Sequence, residues 1–165
     1  ARGVKSMNLR EGDNLVSMDV LTSNLVDQLA KIEDLTEDFD DNVAENSSDG
    51  PWVLIASAFG LGKRVPVTQF RLQKRAGMGL RAIKFRIKDD QLVCLKVLGE
   101  GEELLLVTEK GVIVRTNADK ISQQSRAATG VKLQRLDDGD HLSEVVLVPH
   151  EQIEEKDQPS SVEQN

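Results

Sequence analysis

The chain has 165 residues, with 21 basic and 28 acidic side chains and a formal net charge of −7 at pH 7. Its single cysteine, Cys94, excludes an internal disulfide, and no apolar run approaches the ~20 residues that a membrane helix needs. The sequence has no tyrosine and no His or Cys pairing at metal-ligand spacing, so it offers no evident catalytic centre or metal site.

The net charge is a sum of unlike segments. Residues 22–52 hold nine acidic side chains and one lysine, and residues 150–165 hold five acidic side chains and one lysine. Residues 53–88, in contrast, hold nine basic side chains and no acidic one. Such a basic stretch in an acidic chain is typical of a surface that binds a polyanion. The alternative is a solvated surface whose charge is balanced by a neighbouring repeat.

A repeat with an offset of 51 residues organises most of the chain. Residues of the first copy, Gly60, Arg64, Gln73, Arg75, Ala76 and Gly79, recur as Gly111, Arg115, Gln124, Arg126, Ala127 and Gly130. Residues 1–15 repeat residues 128–142 at an offset of 127, so we expect the chain to open inside a truncated copy and to be a fragment. A repeat of this length is typical of a propeller or a solenoid, whose units pack on their neighbours.

In chain order, the first elements are the end of a truncated unit and an insertion. Residues 1–21 are expected to be that end, and residues 22–52 form the acidic insertion. Ser23 can cap one short helix there, with Leu25 and Leu29 on its apolar face. The rest of the insertion has a composition that does not favour a packed core.

A complete unit of four short strands is predicted over residues 53–101. Its first two strands flank a tight turn at Gly60 and Gly62, because glycine adopts the positive φ that such turns require. A third strand is expected after Gly79, and the last strand spans residues 92–98.

The second complete unit, residues 102–149, follows the same plan. A turn at Gly111 joins its first two strands, a third strand is expected after Gly130, and residues 142–148 form the last strand. The acidic tail, residues 150–165, is expected to be disordered. Strand patterning and turn residues agree, so the sequence predicts an all-β fold.

The segment from Gly60 to Arg64 looks at first like the end of a phosphate-binding loop of nucleotide-binding proteins. Ser57, however, stands where the first glycine of that motif is needed, and Arg64 stands where Ser or Thr must reach magnesium. A hairpin turn followed by a basic strand is therefore the better interpretation.

The segment from Gln73 to Gly79 combines two adjacent cations, Lys74 and Arg75, with small residues and two glycines, Gly77 and Gly79. Small residues let a backbone approach a phosphate, whose charge the two cations neutralise. A purely structural interpretation is that Gly79 only permits a sharp bend into the next strand.

These motifs resemble a known family. The run from Val53 to Gly79 is similar to a blade of the C-terminal domain of the gyrase A protein, one of the two chains of DNA gyrase, and the next unit resembles the following blade. The features that carry the resemblance are Gly-Lys-Arg-Val-Pro at residues 62–66, Phe70, and Gln-Lys-Arg-Ala-Gly-Met-Gly at residues 73–79. The resemblance covers residues 1–21 and 53–148. It implies a β-pinwheel of four-stranded, propeller-like blades that wraps duplex DNA around its outer rim, from which negative supercoiling follows.

The heptad departs from the family's Gln-Arg-Arg-Gly-Gly-Lys-Gly box at Lys74, Ala76 and Met78. We therefore expect the last two blades of a parent protein, with any true box upstream. The resemblance implies that the tyrosine nucleophile, the ATP and magnesium site and the contact with the gyrase B protein belong to regions of the parent outside this chain. We expect no cofactor in the chain itself, and no enzyme activity on its own.

The expected partner is duplex DNA, contacted through its phosphates. The cations expected to bind it are Lys63, Arg64, Arg71, Lys74, Arg75 and Arg81, with Arg115, Lys120 and Arg126 continuing the path. The turn and backbone glycines are Gly60, Gly62, Gly77, Gly79, Gly111 and Gly130.

Two alternatives for the function stay open: the C-terminal domain of the corresponding topoisomerase IV protein, and a propeller-type scaffold that binds proteins. The acidic segments either compete with DNA for the basic rim or keep the chain soluble. We expect no membrane partner. The expected location is a plastid or a mitochondrion, with a bacterial cytoplasm as the alternative.

Overall fold

The computed structural model describes residues 2–27 and 50–148, and this part of the chain is mostly β. Its strands are β1 (Trp52–Ser57), β2 (Leu61–Pro66), β3 (Leu92–Leu98), β4 (Glu103–Thr108), β5 (Ile113–Asn117), β6 (Val131–Lys132) and β7 (Leu142–Val148). Two 3₁₀ turns, Val67–Gln69 and Ala118–Lys120, follow β2 and β5. Residues 23–27 are helical.

The strands form two antiparallel sheets, as the all-β prediction requires. The first sheet has the order β3-β1-β2-β6, and the second has the order β5-β4-β7. In each sheet the first strand of the unit lies between its hairpin partner and the last strand of the same unit. The predicted bounds of the last strands, residues 92–98 and 142–148, are confirmed.

The fourth strand of the first sheet comes from the second unit. In β6, Val131 and Lys132 lie opposite Gly62 and Leu61 of β2. The unit of residues 53–101 therefore supplies three strands to its sheet and receives the fourth from its successor.

The prediction of a strand after Gly79 is wrong, because the fourth strand of this sheet is β6 of the second unit. Residues 80–86 form no strand. A strand needs a hydrogen-bonded neighbour, and the repeat would pair these residues with the second strand of a preceding unit. The described residues contain no strand at that place.

The hydrophobic core has two parts, one on each face of the first sheet. On one face, Leu54 and Cys94 pack against Leu104 and Leu106 of the second sheet. On the other face, a cluster of Val53, Ile55, Val65, Val67 and Ile83 is covered by side chains that include Leu21, Leu25 and Phe70. Burial of each large aliphatic side chain stabilises the fold by roughly 1.5–3 kcal/mol, so the contact between the sheets is a main source of stability.

Each unit also contains a buried aspartate that ties its hairpin to its last strand. Asp90 accepts hydrogen bonds from the Ser57 hydroxyl at 2.8 Å and from the Phe59 N–H at 3.1 Å. Asp140 accepts bonds from the N–H groups of Lys110 at 3.1 Å and His141 at 2.8 Å. Burial raises the pKa of Asp140, but these bonds and one from the Thr108 side chain outweigh it and leave the pKa below its ordinary value.

The predicted helix of the insertion is present where the structure describes it. The N–H groups of Leu25 and Val26 both donate to the carbonyl of Thr22 at 3.1 Å, so Thr22 rather than Ser23 precedes the first helical residue. The predictions for Leu29, for the rest of the insertion and for the acidic tail lie outside the described residues.

Candidate nucleic-acid interface

The basic stretch of the first unit becomes an exposed run after β2. Within the described residues, the charged groups of its exposed cations have no hydrogen-bond or ion-pair partner: Arg71, Lys74, Arg75, Arg81, Lys84, Arg86 and Lys88. No acidic side chain lies in sequence between the first and the last of them. A run of unpaired cations creates a positive potential that attracts phosphate groups.

The loop that carries Lys74 and Arg75 is anchored by the first residues of the chain. The Ala76 N–H donates to the carbonyl of Ser6 at 2.9 Å, and the Asn8 side-chain amide donates to the carbonyl of Ala76 at 2.6 Å. These bonds fix the loop backbone while both cationic side chains stay exposed. The loop therefore presents its cations from a fixed backbone.

Basic residues of the two units are in contact at the junction, through the backbone of Arg81 and Lys84. The Arg126 guanidinium donates to the carbonyl of Arg81 at 2.9 Å, and the Lys84 N–H donates to the carbonyl of Ala128 at 3.2 Å. Arg81 and Arg126, which are expected on one path of cations, are therefore neighbours in the structure. Lys84 is a third cation at this place and was missing from the expected contacts.

Lys63 is a correction to the expected contacts. Its side chain is fully buried, and its ammonium donates to the carbonyls of Ser125, Arg126 and Ala128 at 2.7–2.8 Å. An ammonium has three protons, and all three are used here. Lys63 therefore cannot reach a phosphate in this structure.

Arg64 is also occupied at the junction. Its guanidinium lies 4.6 Å from the centre of the Trp52 ring and 2.9 Å from the Asp119 carboxylate. It also donates to the carbonyl of Ile121 at 2.9 Å, and its side chain is only 15% exposed. These contacts join the first unit to the second, so Arg64 is a structural cation rather than a free one.

The remaining expected cations lie on the second unit. Arg115 on β5 is 64% exposed and pairs with Glu103 on the adjacent strand. Such a surface ion pair contributes about 0–1 kcal/mol, so it leaves the guanidinium able to change partner. Lys120 is exposed at the end of a 3₁₀ turn.

A recurring cation is among the expected contacts in only one of its three copies, Arg81. Two residues after the repeated glycine, each copy carries an exposed basic side chain: Lys5, Arg81 and Lys132. All three copies share the sequence pattern of a glycine, then any residue, then a basic residue. Its spacing places one cation on the exchanged strand β6 and on each equivalent segment.

The predicted turn glycines divide into two groups. Gly60, Gly79, Gly111 and Gly130 have positive φ, the conformation that favours glycine, whereas Gly62 and Gly77 do not. Gly62 and Gly130 serve a different need, because a Cβ on Gly130 would lie 2.7 Å from the Gly62 carbonyl oxygen. Without side chains at these two glycines, β6 can approach β2 closely enough to pair with it.

No other kind of site is apparent in residues 2–27 and 50–148. They contain no group of three or more His, Cys, Asp or Glu side chains arranged to hold a metal ion. The same residues include no helix that is long and apolar enough to cross a membrane. Burial raises the pKa of the Cys94 thiol to about 11, so this cysteine belongs to the core.

Two antiparallel sheets, linked by an exchanged strand and bordered by exposed cations, define a protein of the β-pinwheel class. Residues 1–22, 51–93 and 102–149 match the family model described as the DNA gyrase C-terminal domain, a β-propeller. The chain belongs to this family.

Curated relatives and solved structures agree with the assignment. The chain is 49% identical to the gyrase A protein of Synechocystis sp. and 35% identical to that of Staphylococcus aureus, with 99% and 100% of this chain covered. It spans only 20% and 16% of those relatives. A solved gyrase A C-terminal domain matches 58% of this chain and 32% of its own length, with 33% identity and a TM-score of 0.54.

The C-terminal domain of DNA topoisomerase IV shares the fold. Its solved structure covers 64% of this chain and 32% of its own length, with a TM-score of 0.55 and 24% identity. At that identity the likeness concerns the fold alone.

Proposed function

We propose that this chain binds duplex DNA through its phosphates and forms part of the DNA-wrapping surface of a gyrase A protein. The observation that carries the proposal is the basic run from Arg71 to Lys88, whose seven cations are exposed and unpaired among the described residues. Membership of the gyrase C-terminal family supports the proposal. A role in supercoiling is what the resemblance to that family implies.

The contacts are expected to be independent of base sequence. Long basic side chains neutralise phosphates, which carry no sequence information, and aromatic residues that could stack on bases make up only 3% of the chain. The path runs from Lys74 and Arg75 through Arg81 and Lys84, and crosses to the second unit at Arg126. Lys132, Arg115 and Lys120 extend the exposed charge on that unit.

Strand passage is assigned to the parent enzyme. The chain contains no tyrosine, so a tyrosine nucleophile must come from elsewhere in the parent. ATP, magnesium and the gyrase B protein are likewise proposed to act through the remaining four-fifths of a gyrase A chain and its partner. The plastid or mitochondrial location, with the bacterial cytoplasm as alternative, stays a prediction.

The proposal is tested by fluorescence anisotropy with a labelled random-sequence duplex between about 50 and 200 mM salt. Binding should weaken steeply with salt, because each neutralised phosphate contributes a slope of about −0.9 in log affinity against log salt. In the variant with Lys74→Gln and Arg75→Gln, the slope should become shallower by about 1.8, equally on unrelated sequences.

A matched control removes the same charge elsewhere. The double variant Lys96→Gln and Lys110→Gln loses two cations outside the run, from β3 and from the β4–β5 turn, and should keep the wild-type slope. Equal effects of the two variants would show that the site is misplaced. If the wild-type chain binds no DNA at low salt, the protein-scaffold alternative replaces the proposal, and a strong sequence preference would contradict phosphate-only contacts.

A further inference from the structure

The buried ammonium of Lys63 has no role in the proposed DNA contact, and its surroundings are unusual. Lys63 lies on β2 of the first unit, whereas its three partners, the carbonyls of Ser125, Arg126 and Ala128, lie in one loop of the second unit. The side chain is fully buried, although lysine is almost never buried without partners. Here the three carbonyl oxygens replace the water that the charge has lost.

The same loop is held from other sides by the first unit. The Arg126 N–H donates to the Gln69 side chain at 2.8 Å, and the Arg126 guanidinium donates to the Arg81 carbonyl at 2.9 Å. Lys84 bonds to Ala128 through its backbone. Lys63 is the central contact of this set, because it alone bonds three residues of the loop.

The second unit shows what the position looks like without such a loop. The residue equivalent to Lys63 is Val114 on β5, which is 37% exposed. No loop of a further unit lies against β5 in the described residues. Within the described residues, the buried lysine thus coincides with a neighbouring loop, and Val114 has no such loop against it.

We infer that Lys63 is a positioning residue for DNA binding: it fixes residues 125–128 so that Arg126 continues the phosphate path of the first unit across the junction. This inference rests on the proposed function. Lys63 touches no phosphate itself, and its effect on DNA passes through Arg126. Burial and the nearby charge of Arg126 lower the pKa of Lys63 to about 8, so at neutral pH the ammonium form that donates three bonds still predominates.

The decisive test is a double-mutant cycle between Lys63→Met and Arg126→Gln. Methionine keeps a flexible stem of similar length but donates no hydrogen bond. If Lys63 acts through Arg126, either single variant should reduce the salt slope by about 0.9, and the double variant should reduce it no further. Additive losses, or a wild-type slope in Lys63→Met, would overturn the inference.

Two further measurements do not require DNA. Backbone hydrogen exchange at Arg126 and Ala128 should be faster in Lys63→Met than in the wild type, while exchange within β4 and β7 should be unchanged. In the wild-type chain, burial should make the Lys63 amine react with an acylating reagent at pH 8 far more slowly than the exposed amine of Lys74, although its lowered pKa of about 8 increases its uncharged, reactive fraction. Unchanged hydrogen exchange at Arg126 and Ala128, or equal acylation rates of the two amines, would show that Lys63 does not hold residues 125–128 as described.

Together these measurements separate the two claims. The wild-type chain could bind no DNA and still show a protected Lys63 amine, with faster loop hydrogen exchange in Lys63→Met. That result would contradict the proposed function and the role of Lys63 in DNA binding, but it would support Lys63 as the residue that holds residues 125–128. If Lys63→Met does not fold, Lys63→Gln retains up to two donors and should give an intermediate loss of slope. A full wild-type slope in that variant would contradict the inference.

Discussion

Strands β1 and β4 occupy the same place in their units, yet they are buried differently. All six residues of β1 are buried, whereas β4 alternates between half-buried and buried positions. The first sheet is covered on both faces, and the second sheet is covered on the face that it turns to the first. In a repeat protein, the neighbours of a unit thus decide how much of it is core.

The same contrast separates equivalent side chains. Arg64 is 15% exposed and bonded across the junction, whereas Arg115 at the same repeat position is 64% exposed. Cys94 lies opposite Ala56 and is buried, whereas Glu144 holds the equivalent register opposite Val107 and is exposed. Equivalent positions of the repeat therefore have the same backbone position in their sheets but different side-chain environments and roles.

The largest expected effect concerns the exchanged strand that distinguishes the two sheets. Gly130→Ala should lower the free energy of unfolding by about 3 kcal/mol, because strain at positive φ adds to a steric clash with the Gly62 backbone. Gly111→Ala is the matched control, since Gly111 also has positive φ but has open space around it. It should cost only about 1–2 kcal/mol in a urea titration. Equal losses would show that β6 does not pack on β2 as described.

A smaller effect is expected for thiol reactivity at equivalent positions. Burial raises the pKa of Cys94 from 9.0 to about 11, which lowers its thiolate fraction at pH 8 about a hundredfold. Introducing Glu144→Cys in a Cys94→Ala background places the only thiol at the exposed equivalent. Its reaction with a disulfide reagent should be at least about a hundredfold faster than that of wild-type Cys94. Similar rates would mean that the first sheet is not covered by the second.

Sequence patterns predicted the elements better than their contacts. The turns at Gly60 and Gly111 and the last strands of both units could be read from local chemistry, because glycine and strand patterning act over a few residues. The exchange of β6 could not, since strand pairing between distant segments has no local signal. Lys63 was misread for a related reason: a lysine normally indicates a surface, and the loop that buries it lies about 60 residues further along the chain.

The sequence predicted a basic surface, but it identified only some of the cations that are exposed on that surface. Arg71, Lys74, Arg75 and Arg81 are exposed as expected, whereas Lys63 and Arg64 are used at the junction. The charge of a residue is visible in the sequence, but its partner is not. The repeated cation after each glycine could have been found by aligning all three copies.

The central claim is that exposed cations bind the duplex, while Lys63 and Arg64 hold the two units together at the junction. Arg64 and Arg115 test it most directly, because they share a repeat position and differ in environment. Arg64→Gln should lower the free energy of unfolding by about 1–2 kcal/mol and keep the salt slope of DNA binding. Arg115→Gln should leave stability within about 0.5 kcal/mol and make the slope shallower by about 0.9. The reverse pattern, with the slope depending on Arg64 and not on Arg115, would contradict the account.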